Sequence, residues 1–187
     1  MTPSPGTALD RLLTASLIGG PVVSLVADVL YAANGWDDPT AAVFHVLGAT
    51  GYILVLVRLL SLDGGRLAAA LLIVGALGAA GNVGYGFNTI HVSLGDTDLV
   101  DATGAATLIK PLGLCFPLML LLAAVALRRV QPVWNVALLA VAALVWPVAH
   151  IADIAWLAVA VNVALVAGFG AVAVTTFRAP APATAAL

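Results

Sequence analysis

Charge is what this chain has least of. Only 9% of its 187 residues are charged, whereas a soluble domain carries about a quarter. Seven side chains are Lys or Arg and nine are Asp or Glu, giving a net charge of −2 with no basic run. Nothing here would bind a nucleic-acid backbone, so nucleic acid is excluded as a partner. Cys115 is the single cysteine, which excludes an internal disulfide and a thiolate zinc site. Sequence motifs of chemistry are missing as well. The chain has no HExxH, no P-loop, no GxSxG, no CxxC and no glycine-rich dinucleotide fingerprint.

What the chain has is apolar length. Hydrophobic residues make up 63% of it, more than a compact soluble fold can bury. A span needs about 20 mostly apolar residues to cross about 30 Å of hydrocarbon. Six segments meet that rule, at about 11–33, 41–60, 66–90, 103–127, 131–148 and 151–177. The first is longer than a signal-peptide core and has only Arg11 on its positive flank, so it reads as a retained span. Between the spans lie turn-forming stretches such as NGWDDPT and SLDGGR. Residues 1–10 and 178–187 read as disordered tails rich in Pro, Ala and Thr. The expected fold is all-α: a polytopic membrane protein with one six-transmembrane-helix domain over residues 11–177.

Orientation follows from the cations. Arg11, Arg58, Arg66, Arg128, Arg129 and Arg178 all fall at one set of span ends. Asp37, Asp38, Asp96, Asp98 and Asp101 fall at the other. The positive-inside rule then puts both termini in the cytoplasm of a multi-pass cell-membrane protein. The fifth and sixth spans are almost contiguous. Pro147, which lacks an N–H and blocks the preceding turn, is expected to break the helix within WPVAHIAD, leaving Asp153 to cap the next one.

On this map the polar residues gather in the outer half. Asp28 lies near the outer end of span 1, His45 about one turn inside span 2, and Asn82, Tyr85, Asn88 and His91 along the outer part of span 3. An ionised side chain at bilayer depth costs roughly 2.5–3.5 kcal/mol, so such residues face the interior, pair with one another and mark sites. Gly75, Gly78, Gly81 and Gly84 recur every third residue and allow close helix approach, which suggests a central span 3.

Each candidate has a structural alternative. Asp28 and His91 also fit as interfacial residues, and the asparagines as interhelical hydrogen-bond glue. Lys110 can snorkel outward. His150 and Asp153 fit as hairpin-tip residues. The functional expectation takes Asp28, His45 and His91 as the acid–base residues. Tyr31, Trp36, Tyr52, Asn82, Tyr85, Asn88 and Trp156 are its substrate wall, with Lys110, His150 and Asp153 as additional members. Proton transfer among buried Asp and His suits a lipid or isoprenoid substrate drawn from the membrane.

In size, helix number and a buried acid, the chain is similar to the small membrane-bound terpene cyclases, in which an acidic residue protonates an isoprenoid. That resemblance implies a lyase or isomerase with an Asp general acid and no cofactor, though here the acids lie on the outer side. Haem b or a divalent metal on His45 and His91 is the alternative, with three histidines too few for two bis-histidine haems. A transporter or a non-enzymatic accessory protein is the other, although a transport path needs polar residues in both halves.

The orientation is directly testable. A reporter fused after Arg129 is expected to score cytoplasmic, and one within Asp96–Asp101 extracytoplasmic. The reverse pattern would overturn the charge map.

Overall fold

The computed structural model describes residues 6–61 and 65–178, and within these the chain forms six α-helices. They are α1 (Ala8–Asn34), α2 (Pro39–Leu60), α3 (Arg66–Ser93), α4 (Ile109–Leu127), α5 (Val133–Ile151) and α6 (Ala155–Arg178). All six are long and apolar enough to cross a membrane, α4 counted with the 3-10 turn Gly104–Leu108 that leads into it. Residues 1–5 and 179–187 of the expected tails, 62–64 of the SLDGGR loop and the side chains of Phe177 and Arg178 lie outside the described residues.

Local chemistry sets the helix starts. Thr7 caps α1, its hydroxyl accepting from the Asp10 amide at 3.2 Å, so the helix begins at Ala8 and includes the last residues of the expected N-terminal tail. The Asp10 carboxylate then meets Arg58 of α2 at 3.0 Å. Asp38 caps α2 by accepting from the Ala41 amide at 2.6 Å, with Pro39 in the first turn, where its missing N–H costs nothing.

The turn between α5 and α6 departs from expectation. Pro147 does not break the helix: α5 runs through it to Ile151. A proline deletes one backbone bond of the turn before it and leaves the following turn intact. The reversal comes at Asp153, whose φ of 52° is left-handed. The Ile154 amide reaches back to the Ala149 carbonyl at 2.8 Å, the backbone closure of a Schellman motif. Asp153 therefore ends α5. Ile154 starts α6, its carbonyl accepting from the amides of Leu157 and Ala158, both at 3.0 Å.

Each helix packs on its neighbours in sequence, and α6 returns to α1, closing a ring. The expected central place of span 3 is therefore wrong: α3 is one wall of six, and its glycines serve mainly α4. A Cβ on Gly78 or Gly81 would run into the α4 backbone at Cys115–Phe116 and Leu112–Gly113. Gly20 and Gly51 similarly bring α1 and α2 backbone to backbone.

The ring has two unlike halves. Tyr52 of α2 meets Phe116 of α4 edge-on at 4.9 Å and Phe169 of α6 at 6.0 Å, and Phe116 meets Trp146 of α5 at 5.4 Å. This aromatic layer, with Leu56, Leu120 and Leu165, fills the half toward the arginine end. Above it, toward the aspartate end, the interior opens. The outer faces carry exposed Ile73, Phe87, Val141 and Leu144.

Two glycines should respond oppositely to alanine. Gly81→Ala must push α3 from α4 and is expected to cost about 1–3 kcal/mol. Gly19, with nothing near its Cβ position, should gain up to about 1 kcal/mol as Gly19→Ala. Thermal unfolding in detergent reads both, and equal shifts would contradict the packing.

Candidate functional site

Above the aromatic layer lies a cavity of about 510 Å³. It tapers to a chamber of about 20 Å³, room for a single water molecule. His45, Asn82, Trp146 and His150 line both spaces, so the chamber is the closed end of the cavity. Ser24, Asp28, Ala49, Phe116 and Asn162 complete the chamber.

Asp28 is 2% exposed. One turn and a half of α1 separates it from Asn34, about 9 Å along the helix axis. A buried carboxyl group needs hydrogen-bond partners, and two other helices supply them. The Asn162 amide of α6 donates to Oδ2, and His150 Nε2 of α5 faces Oδ1 at 3.4 Å.

Proton positions follow from the partners. His150 Nδ1 sits 2.9 Å from the Trp146 carbonyl oxygen. A carbonyl only accepts, so Nδ1 carries a hydrogen. Nε2 is then the ring atom turned to Asp28 Oδ1. Trp146 also stacks on the His150 ring, centroids 4.0 Å apart and planes within 16°.

His45 is fixed in the opposite tautomer. The Asn82 amide nitrogen donates to the Gly78 carbonyl at 2.9 Å, which turns its oxygen toward His45 Nε2 at 3.1 Å. Nε2 is therefore the donor, and Nδ1 is the proton acceptor of the neutral ring. Tyr85 lies against this ring at 5.5 Å. The chamber thus has a carboxyl–imidazole contact between Asp28 and His150, with His45 in the same lining.

The remaining expected residues fall into several places. Trp36 lines the cavity and donates its indole N–H to the Asp153 carbonyl at 3.2 Å, joining the α1–α2 loop to the α5–α6 turn across the mouth. Tyr85, Asn88, Lys110 and Asp153 also line it. Asn88 holds the α3–α4 loop, donating to Asp98 and accepting from the Leu99 amide, both at 2.8 Å. Tyr31 is buried behind the wall, stacked on Trp36 at 5.1 Å, and Tyr52 belongs to the aromatic layer.

His91 and Trp156 are not brought to the cavity. His91 is nine residues beyond Asn82, half a helical turn out of phase, and pairs at the surface with Asp96 at 3.5 Å. Trp156 is 72% exposed on the outside of α6. His45 and His91 share no cavity in which to flank one haem. Among the described residues no group of three or more His, Cys, Asp or Glu is arranged to hold a metal ion. Sequence reasoning did not place Trp146 or Asn162 in the site. The i, i+4 spacing of Trp146 and His150 was a signal for the first, whereas nothing distinguished Asn162 from ordinary interhelical glue.

Comparison with protein-family models, with curated proteins and with solved structures finds no match to this chain.

The tautomers can be read directly. In ¹⁵N-histidine-labelled protein, His45 is expected to show a protonated Nε2 and His150 a protonated Nδ1. Asn82→Leu should release the His45 preference and leave that of His150 intact. The opposite tautomers in the wild type would contradict the site geometry.

Proposed function

We propose that this chain is an integral protein of the cell membrane with both termini cytoplasmic. Its cavity carries out acid–base chemistry on a lipid or isoprenoid substrate. The observation that carries this reading is the contact of the Asp28 carboxyl group with His150, in one small chamber with the His45 ring, at the narrow end of a cavity that Trp36, Tyr85 and Trp146 line. The cavity volume lies within the range of small-molecule sites, about 300–1,000 Å³.

The chemistry follows from the two sides of the chamber. The Asp28–His150 pair delivers its proton to one carbon of a substrate double bond. His45 Nδ1 removes a proton from a neighbouring carbon as the cation collapses. The substrate is isomerised or cyclised with no net gain or loss of protons. The catalyst resets when the proton on His45 returns to the Asp28–His150 pair, for which the water-sized chamber between them gives a route. Proton-initiated cyclisation of an isoprenoid is the specific form favoured. The aromatic layer below the chamber supports an enzyme over a transporter, because it fills the half of the ring through which a transport path would continue.

Solvent deuterium tests this reading. Purified protein incubated in D₂O with an isoprenoid-containing lipid extract is expected to place deuterium on carbon in a product. Asp28→Asn and His45→Ala should each lower that incorporation by about 10²-fold or more while the protein still folds. Incorporation unchanged in both variants, or none above background in the wild type, would sink the proposal.

A further inference from the structure

The substrate wall has a charge pattern that acid–base chemistry does not require. Asp37, Asp98, Asp101 and Asp153 line the wide part of the cavity, and among the described residues Lys110 is the only Lys or Arg that does. Lys110 lies 3.5 Å from Asp101, so that pair is internally balanced. Asp37, Asp98 and Asp153 have no cation among the ion pairs of the described residues. The carboxylates come from three separate loops, and Asp28 lies beyond them at the closed end.

Between the mouth and the chamber the walls carry aromatic rings among aliphatic and polar side chains. Trp36, Tyr85 and Trp146 line the cavity. An aromatic face attracts a cation within about 6 Å of its centroid through the ring quadrupole. Carboxylates attract the same charge by Coulomb's law, and carboxylates lining one cleft focus the field into it. The two effects are physically independent and select the same ligand. A phosphate-headed ligand would meet like charge at Asp37, Asp98 and Asp153.

We infer that the occupant of this cavity is an organic cation, an amine or quaternary ammonium head carried on an apolar tail. This rests on the acid–base reading of the same site and names its substrate class. The head lies between the carboxylates and the aromatic faces, and Lys110 counts against it.

Calorimetric titration of the full chain in an uncharged maltoside detergent tests the inference. Dodecyltrimethylammonium is expected to bind saturably at one site, and dodecyl phosphate at least tenfold more weakly. The double variant Asp37→Asn/Asp153→Asn should weaken the ammonium at least fivefold, since asparagine tolerates the left-handed conformation at position 153. Trp36→Leu should weaken it similarly, and Lys110→Gln should tighten it. The outward-facing Trp156→Leu should leave it unchanged.

Tetramethylammonium binding as tightly as the long-chain amphiphile would identify a free ammonium compound as the ligand. Weaker binding would identify a lipid-like one. Equal or tighter binding of dodecyl phosphate, or an aspartate double variant that binds like the wild type, overturns the inference. The two readings fail separately. A protein that prefers the ammonium but transfers no solvent deuterium keeps this inference and loses the acid–base reading. One that transfers deuterium without preferring the cation does the reverse.

Discussion

The structure depends on one buried acid finding its partners. Asp28 is 2% exposed inside an apolar ring, where an uncompensated carboxyl group is among the most unfavourable groups to bury. Its partners stand on α5 and α6, so satisfying it draws the first helix to the last two. The α1–α6 packing that closes the ring carries this hydrogen bond at its aspartate end. Removing one partner of such a buried pair typically costs several kcal/mol, about 3–5 where it has been measured. The same contacts that close the ring also hold His150 against Asp28 in the lining of the chamber.

The two halves of the ring are built differently. Toward the arginine end, Tyr52, Phe116 and Phe169 interlock with leucines, and the Asp10–Arg58 pair ties α1 to α2. A second polar cluster stitches α5 to α6 there. Asn135 donates to Gln131 at 3.0 Å and to the Gly168 carbonyl at 3.1 Å, and Gln131 donates to Thr175 at 2.6 Å. Toward the aspartate end the cross-links are Asp28 to Asn162 and His150, and His45 to Asn82, and they stand around the cavity rather than across a filled core. The glycine contacts between α1 and α2 and between α3 and α4 supply close packing without filling the interior from those walls.

The fold was largely legible because its rules are one-dimensional. Span length and arginine placement depend on counting along the chain, and the six helices fall within a few residues of the expected ranges. What depends on three dimensions was less so. Glycines every third residue announce a close approach but not to which helix, so α3 was given a centre that this ring does not have. Asp28 and His45 could be found because a titratable group deep in an apolar run has few explanations. His91 was misleading because it shares a stripe with Asn88, which lines the cavity, yet lies half a turn out of phase with Asn82 and pairs at the surface with Asp96. Pro147 and Asp153 were assigned from residue type alone. Backbone bonding around them, with the left-handed residue after α5, could be seen only in the folded chain.

One consequence concerns the order in which the protein is made. Asp28 and the amide that holds it, on Asn162, are 134 residues apart. His150, the other partner, is 122 residues away. The acid of the first helix therefore emerges long before either partner has been synthesised. Helices α1 to α4 can pack on one another as they appear, each against its predecessor, but the ring cannot close until α6 is complete. The acid is thus satisfied late in synthesis, and a truncation short of Trp146 leaves it with neither partner and the aromatic layer without Trp146 and Phe169.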